Sequence, residues 1–171
     1  MKKKSQQQVI TTILLILLAI TAVVIVSGFV FRMIRDNLAS TECFKTIGQV
    51  SINVEDGFTY YNEDTNQTFV SVERGQREDY NLTGLSITIS SPTGSKAFRI
   101  ENGKNYTNVN MYNLNEIIEI PNPNEKRTYI FNDTQKYVTG VNEIILAPII
   151  GNGRLCEEAD RKEIRTKNTI S

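Results

Sequence analysis

Val9 to Phe31 reads VITTILLILLAITAVVIVSGFVF, 23 residues without a charge, an Asn or a Gln. The hydrocarbon core of a bilayer is crossed by about 20 such residues in a helix. The run is apolar on every face rather than striped, which suits a helix immersed in lipid better than one lying on a soluble core. The alternative, a long helix buried inside a soluble domain, would need a larger domain than this chain offers. A membrane anchor is therefore expected here. Its interruptions, Thr11, Thr12, Thr21 and Ser27, carry hydroxyls that can bond back to their own helix, so none demands a partner.

The flanks set the direction of the anchor. Lys2, Lys3 and Lys4 precede it, while Arg32, Arg35 and Asp36 follow. The lysine cluster is expected to stay cytoplasmic and to send the rest of the chain outside. No Gly or Pro interrupts the residues after the run as far as Leu38, so the helix is expected over residues 6–38, roughly 50 Å at 1.5 Å per residue.

A chain of 171 residues less this anchor leaves material for one domain of ordinary size. Residues 39–156 hold ten basic and fourteen acidic side chains, a net −4, and residues 157–171 form a charged tail balanced at zero. A mildly acidic domain has no basic stripe to neutralise phosphates, which argues against a nucleic-acid partner. The chain contains no histidine, so the commonest general base and metal ligand are both missing. No cofactor, metal site or enzymatic activity is expected. The acidic pairs Glu63-Asp64 and Glu78-Asp79 read as solvated turns. Asp64-Thr65-Asn66 lacks the glycine and the terminal bidentate Glu of a calcium loop.

The middle of the chain carries strand signals. Val50–Val54 and Leu85–Ile89 alternate with period two, and Phe58–Tyr61, Thr68–Val72, Lys96–Ile100, Ile117–Ile120, Arg127–Phe131 and Val141–Ala147 are strand-like. Turn residues separate them, among them Asp56-Gly57, Pro92-Thr93-Gly94, Asn102-Gly103 and Pro121-Asn122-Pro123. Seven to nine short strands without helical periods between them predict an antiparallel β-sandwich or barrel, the sandwich being preferred. The fold class expected is α+β: a long N-terminal hydrophobic α-helix followed by that head.

Cys43 and Cys156 lie at the two ends of the outer domain. In an exported domain an even cysteine count favours a disulfide over two free buried thiols. Such a bridge would clamp both ends of the domain at the top of the helix. Four N-glycosylation patterns recur in or beside predicted turns, with acceptors Asn66, Asn81, Asn105 and Asn132. Chance enrichment in an Asn- and Thr-rich chain is the competing reading.

Lys2-Lys3-Lys4-Ser5-Gln6 ahead of an apolar helix resembles the class III signal peptide of archaeal type IV pilins and archaellins. The resemblance covers about the first 38 residues. It implies a membrane prepilin-peptidase-like enzyme cutting between Ser5 and Gln6 on the cytoplasmic side. Lys3 and Lys4 are then the basic determinants, residues 1–5 the leader, and the helix stays on the mature protein. An ordinary secretory signal would place its site after the apolar run instead. Ser5 stands where the family usually carries Gly or Ala. Ile10, at the fifth mature position, suits the archaeal rather than the bacterial branch, and a Cys43–Cys156 clamp is not general in archaeal pilins. By the same resemblance the partners are the membrane and other pilin-like subunits, identical or not, and the product is a surface filament for adhesion, motility or secretion. The other reading is an uncleaved single-pass surface protein whose head binds a partner.

Overall fold

The structure is a computed structural model. It describes the backbone of residues 2–113, 115–132, 138–151 and 153–167, and within these ranges the side chains of residues 11–34 and 42–167. The chain divides into two compact units, Met1–Thr41 and Glu42–Ser171.

A single helix, α1 (Lys2–Thr46), occupies the first unit and enters the second. It runs past the expected end at Leu38 because no Gly or Pro occurs between Leu38 and Gly48, whose φ of 68° is a left-handed conformation that ends helices. Lys45 lies in the last turn, where the carbonyl end of the helix dipole favours a cation. Within α1 the segment Thr11–Ile34 is long and apolar enough to cross a membrane, and none of it is buried. Its 24 residues rise about 36 Å, more than the roughly 30 Å of a hydrocarbon core. The large apolar side chains from Ile13 to Ile34 are 44–73% exposed. Thr21 donates to the Leu18 carbonyl at 2.9 Å, the back-bonding expected of a hydroxyl in this setting.

The second unit is β-rich. Its strands are β1 (Val50–Asn53), β2 (Tyr60–Asn62), β3 (Gln67–Arg74), β4 (Leu82–Ser91), β5 (Gly94–Glu101), β6 (Val109–Met111), β7 (Lys126–Asn132), β8 (Glu143–Ile150), β9 (Arg154–Leu155), β10 (Asp160–Glu163) and β11 (Arg165–Lys167). One sheet runs β11-β2-β3-β7-β6 with β1 also on β3; the other runs β10-β8-β4-β5 with β9 on β8. Alternation explains the core. Leu85, Ile87 and Ile89 of β4 are buried while Ser86 and Thr88 between them are half-buried. Val70 and Val72 of β3, Tyr129 and Phe131 of β7, and Ile144 and Leu146 of β8 join them, so one hydrophobic cluster draws on both sheets. Gly84 marks a register shift between β4 and β8, and a Cβ there would meet the Ile100 carbonyl at 2.5 Å.

Several expectations are corrected. The sheets are not wholly antiparallel, because β11 pairs with β2 in parallel, in the register Arg165↔Tyr60 and Lys167↔Asn62. The stretch set apart as a charged tail, 157–171, contributes β10 and β11, one to each sheet, and its last four residues lie outside the described ones. Ile117–Ile120 is not a strand. Ile118 and Ile120 are buried, but Ile118 donates to Lys104 O, accepts from Gly103 N, and Ile120 N bonds the Asn102 side chain. The hydrophobic alternation there is real, but the pairing stops at an isolated antiparallel bridge between Ile117 and Asn105.

Candidate functional site

Lys3, Lys4, Ser5 and Gln6 lie within the helical backbone of α1, and their side chains are outside the described residues. The Ser5–Gln6 bond is therefore part of a regular helix.

The clamp is present. Cys43 and Cys156 form a disulfide with their Cα atoms 5.5 Å apart, inside the usual range. It ties the last turn of α1 to the loop between β9 and β10, closing a separation of 113 residues. By the chain-entropy argument such a loop contributes about 5 kcal/mol. Neighbouring contacts hold the same place. Thr46 donates to the Cys43 carbonyl at 2.7 Å, Cys156 N to Pro148 O at 2.9 Å, and Lys45 to the Asp79 carbonyl at 3.1 Å. The Lys45 ammonium also lies 3.5 Å from the Asp79 carboxylate, which places one member of the Glu78-Asp79 pair in a surface ion pair. The Glu63-Asp64 pair sits in an exposed turn shaped by Asn62, whose side-chain oxygen accepts from Asp64 N and Thr65 N. Among the described residues no group of three or more His, Cys, Asp or Glu side chains is placed to hold a metal ion.

The four acceptor asparagines differ in setting. Asn105 and Thr107 are both exposed. Asn81 is exposed at the start of β4, and Thr83, two residues on, donates to Ile149 O. Asn66 is half-buried at a positive φ of 55°, takes a hydrogen bond from the Tyr61 hydroxyl at 2.6 Å, and its Thr68 is buried in β3. The Asn132 side chain accepts from Gln67 at 2.8 Å, and Asp133 and Thr134 lie outside the described residues.

Two features escaped sequence reasoning. The first is an aromatic group on one sheet face: Tyr60 stacks on Phe69 at 4.5 Å, Tyr112 meets Phe69 edge-on at 6.4 Å, and Phe58 meets Tyr112 at 5.6 Å. The Lys167 ammonium lies 4.4 Å from the centre of the Tyr60 ring, within cation–π range. Burial, with the neighbouring Tyr112 second, raises the Tyr60 phenol above its ordinary value. Phe58, Tyr60 and Phe69 are close in sequence, but Tyr112 and Lys167 come from distant segments, so tertiary pairing unites the group.

The second is Arg74, buried at the end of β3. Its guanidinium is met by the carbonyls of Pro121 at 3.4 Å and Tyr80 at 3.3 Å, and lies over the Tyr80 ring at 4.7 Å. A buried guanidinium held by carbonyls and a ring fixes loop conformation at the cost of desolvation. Position 74 on a strand of alternating apolar residues is the only sequence signal for it.

No protein-family model matches the chain, and no curated protein matches it.

Proposed function

We propose that the chain is a pilin-like structural subunit of the cell surface, non-enzymatic, held in the membrane by α1 and presenting a β-sandwich head outside. The observation that carries this is the uniformly exposed apolar segment Thr11–Ile34 placed directly behind Lys2-Lys3-Lys4-Ser5-Gln6. A helix that keeps every face apolar and covers none of it within its own chain needs lipid or other helices around it.

In this reading a prepilin-peptidase-like enzyme cleaves between Ser5 and Gln6. The three lysines removed would each cost several kcal/mol at the centre of a bilayer. Their loss turns a membrane-stored subunit into one that can be drawn out into a helical filament core. Packing with other copies then replaces lipid contacts, and the small residues Ala19 and Ala22 let neighbouring helices approach closely. The head forms the outer coat, with the lysine-flanked end cytoplasmic and residues from Glu42 onward outside. Asn105 and Asn81, the exposed acceptors, are the positions best placed to carry glycans.

Amino-terminal sequencing of protein taken from native membranes tests the reading. The mature chain is expected to begin at Gln6, directly or as pyroglutamate. A chain still beginning at Met1 or Lys2 overturns it and leaves an uncleaved, singly anchored surface protein.

A further inference from the structure

The head is joined to the end of α1 by two routes. Along the main chain, Ile47, Gly48 and Gln49 lead from α1 into β1. β1 is four residues long and, among the described strands, pairs with β3 alone. Gln49 is held to the loop after β3, its carbonyl accepting from Gly75 N at 2.7 Å and its side-chain oxygen from Arg77 N at 3.3 Å. A short strand with one partner belongs to the parts of a fold that open most readily.

The second route runs through the disulfide, from Cys43 to Cys156. Cys156 lies between β9 and β10, and both of these pair with β8. Its own N–H bonds Pro148 O at 2.9 Å, and Ala159 N bonds Leu146 O at 2.8 Å. On its other side β8 pairs with β4 from Leu82 to Ser90, and its side chains Ile144, Leu146, Ile149 and Ile150 are buried. The two routes therefore end in different sheets, β1 in one and β8 in the other. A hydrogen bond also links them, Ile52 N donating to the Asp160 carboxylate of β10 at 2.8 Å.

We propose that the Cys43–Cys156 bridge is a load-sharing joint. Tension arriving along α1 passes into β1 by the main chain and onto β8 by the disulfide, so β1 is not peeled from β3 ahead of the core. Opening the bridge sends the whole load through Gln49 and β1. That strand then detaches first, while the hydrophobic cluster behind it is intact. The inference rests on the surface-subunit reading only for the source of the tension; the joint is a property of one chain and needs no filament. It is also separable from ordinary stabilisation. In the chain-entropy account a disulfide acts by restricting the unfolded chain. That effect does not depend on where a folded head is pulled, whereas load sharing does.

The test pulls the full-length chain in detergent with optical tweezers. Handles are attached through Met33→azidophenylalanine and Thr93→azidophenylalanine, both positions being exposed. A control pair replaces Thr65 and Thr93, exposed residues between β2 and β3 and between β4 and β5, so that the tension bypasses α1. Each pair is measured oxidised and again after reduction of the same folded protein. Pulled from Met33, the oxidised head is expected to yield without an early step. Reduction should add one at lower force, releasing residues 47–59 for a gain of at most about 45 Å of extended chain. The control pair should keep its first rupture force. An unchanged first rupture from Met33 after reduction overturns the joint. So does an equal drop in both geometries, which would make the bridge a general stabiliser. Failure of the surface-subunit reading would show elsewhere, in a mature chain that begins at Met1 or Lys2.

Discussion

The helix segment from Ile13 to Ile34 and the two sheets of the head spend the same aliphatic residues to opposite effect. In the head Ile87, Ile144 and Leu146 are fully buried, and one cluster joins both sheets. In α1 Leu18, Val24 and Ile25 are 68%, 66% and 73% exposed. The head thus completes its own core, whereas the apolar side chains of the helix segment stay exposed. Periodicity decides which outcome a stretch takes. Alternation with period two gives a strand one apolar face to bury, while a run without polar positions leaves a helix no face that suits water.

The contrast is broken most strongly in the core. Phe131→Ala removes a buried ring that touches Phe98 across the sheets, and should lower head stability by about 3–5 kcal/mol. Leu17→Ala, deleting an exposed side chain of α1, should leave the melting temperature of the head unchanged in detergent. Comparable losses from both would mean that the helix shares the head's core. Next in size is the clamp. Cys43→Ser with Cys156→Ser should cost about 2–5 kcal/mol by thermal or denaturant unfolding. The same loss should follow reduction of the unmodified protein, while helix insertion stays intact.

Ala22→Leu sharpens the contrast from the other side. The swap is compatible with insertion and with a folded head, yet adds bulk where the proposed filament would bring neighbouring helices together. Head unfolding should be unaltered while surface filaments disappear; unchanged filaments in both Ala19→Leu and Ala22→Leu would reduce α1 to an anchor.

The smallest effect is electrostatic and confined to the head. Partial burial opposes ionisation of Glu125, but the Asn122 backbone N–H at 2.8 Å and the Arg127 guanidinium at 2.6 Å outweigh it and hold the carboxyl below its ordinary value. A depressed carboxyl stabilises the fold fully above the unfolded value, about 4.3 for Glu, and loses that contribution as pH falls through the folded value. Melting temperature should therefore fall on acidification below about pH 4, and Glu125→Gln should flatten that part of the profile. Glu101 and Glu158 are lowered too, through hydrogen bonds from Lys104 and Arg161 respectively, and they add to the same slope in the wild-type chain.

The parts legible in the sequence are those in which a single segment carries the whole signal. The apolar run marks α1, and the alternation in Leu85–Ile89, Lys96–Ile100 and Arg127–Phe131 marks β4, β5 and β7. The clamp followed from the even cysteine count and the placement of both cysteines at the ends of the expected outer domain. Strands whose identity rests on a partner were missed. Asp160-Arg161-Lys162-Glu163 and Arg165-Thr166-Lys167 are charged edge strands, solvated along most of their length, so their patterns resemble a tail. Charge is common on edge strands because it discourages unwanted pairing. The Asp160 carboxylate also takes the Ile52 N–H at 2.8 Å, where β1 would otherwise offer it to another strand. Val109–Met111 is too short for a period to emerge. Ile117–Ile120 shows the reverse error, an alternating stretch whose burial comes from a loop. The aromatic group around Tyr60 and the carbonyl-held Arg74 depend on distant pairings that no local pattern encodes.

The most direct measurement on the central proposal is electron microscopy of material sheared from the cell surface, with mass spectrometry of its terminal peptides. The proposal predicts filaments containing this chain, its first residue Gln6, its helices at the filament core and its heads outside. Filaments that never contain it, together with an intact Met1 or Lys2 terminus in the membrane fraction, would contradict the assembly role and leave α1 as an anchor alone.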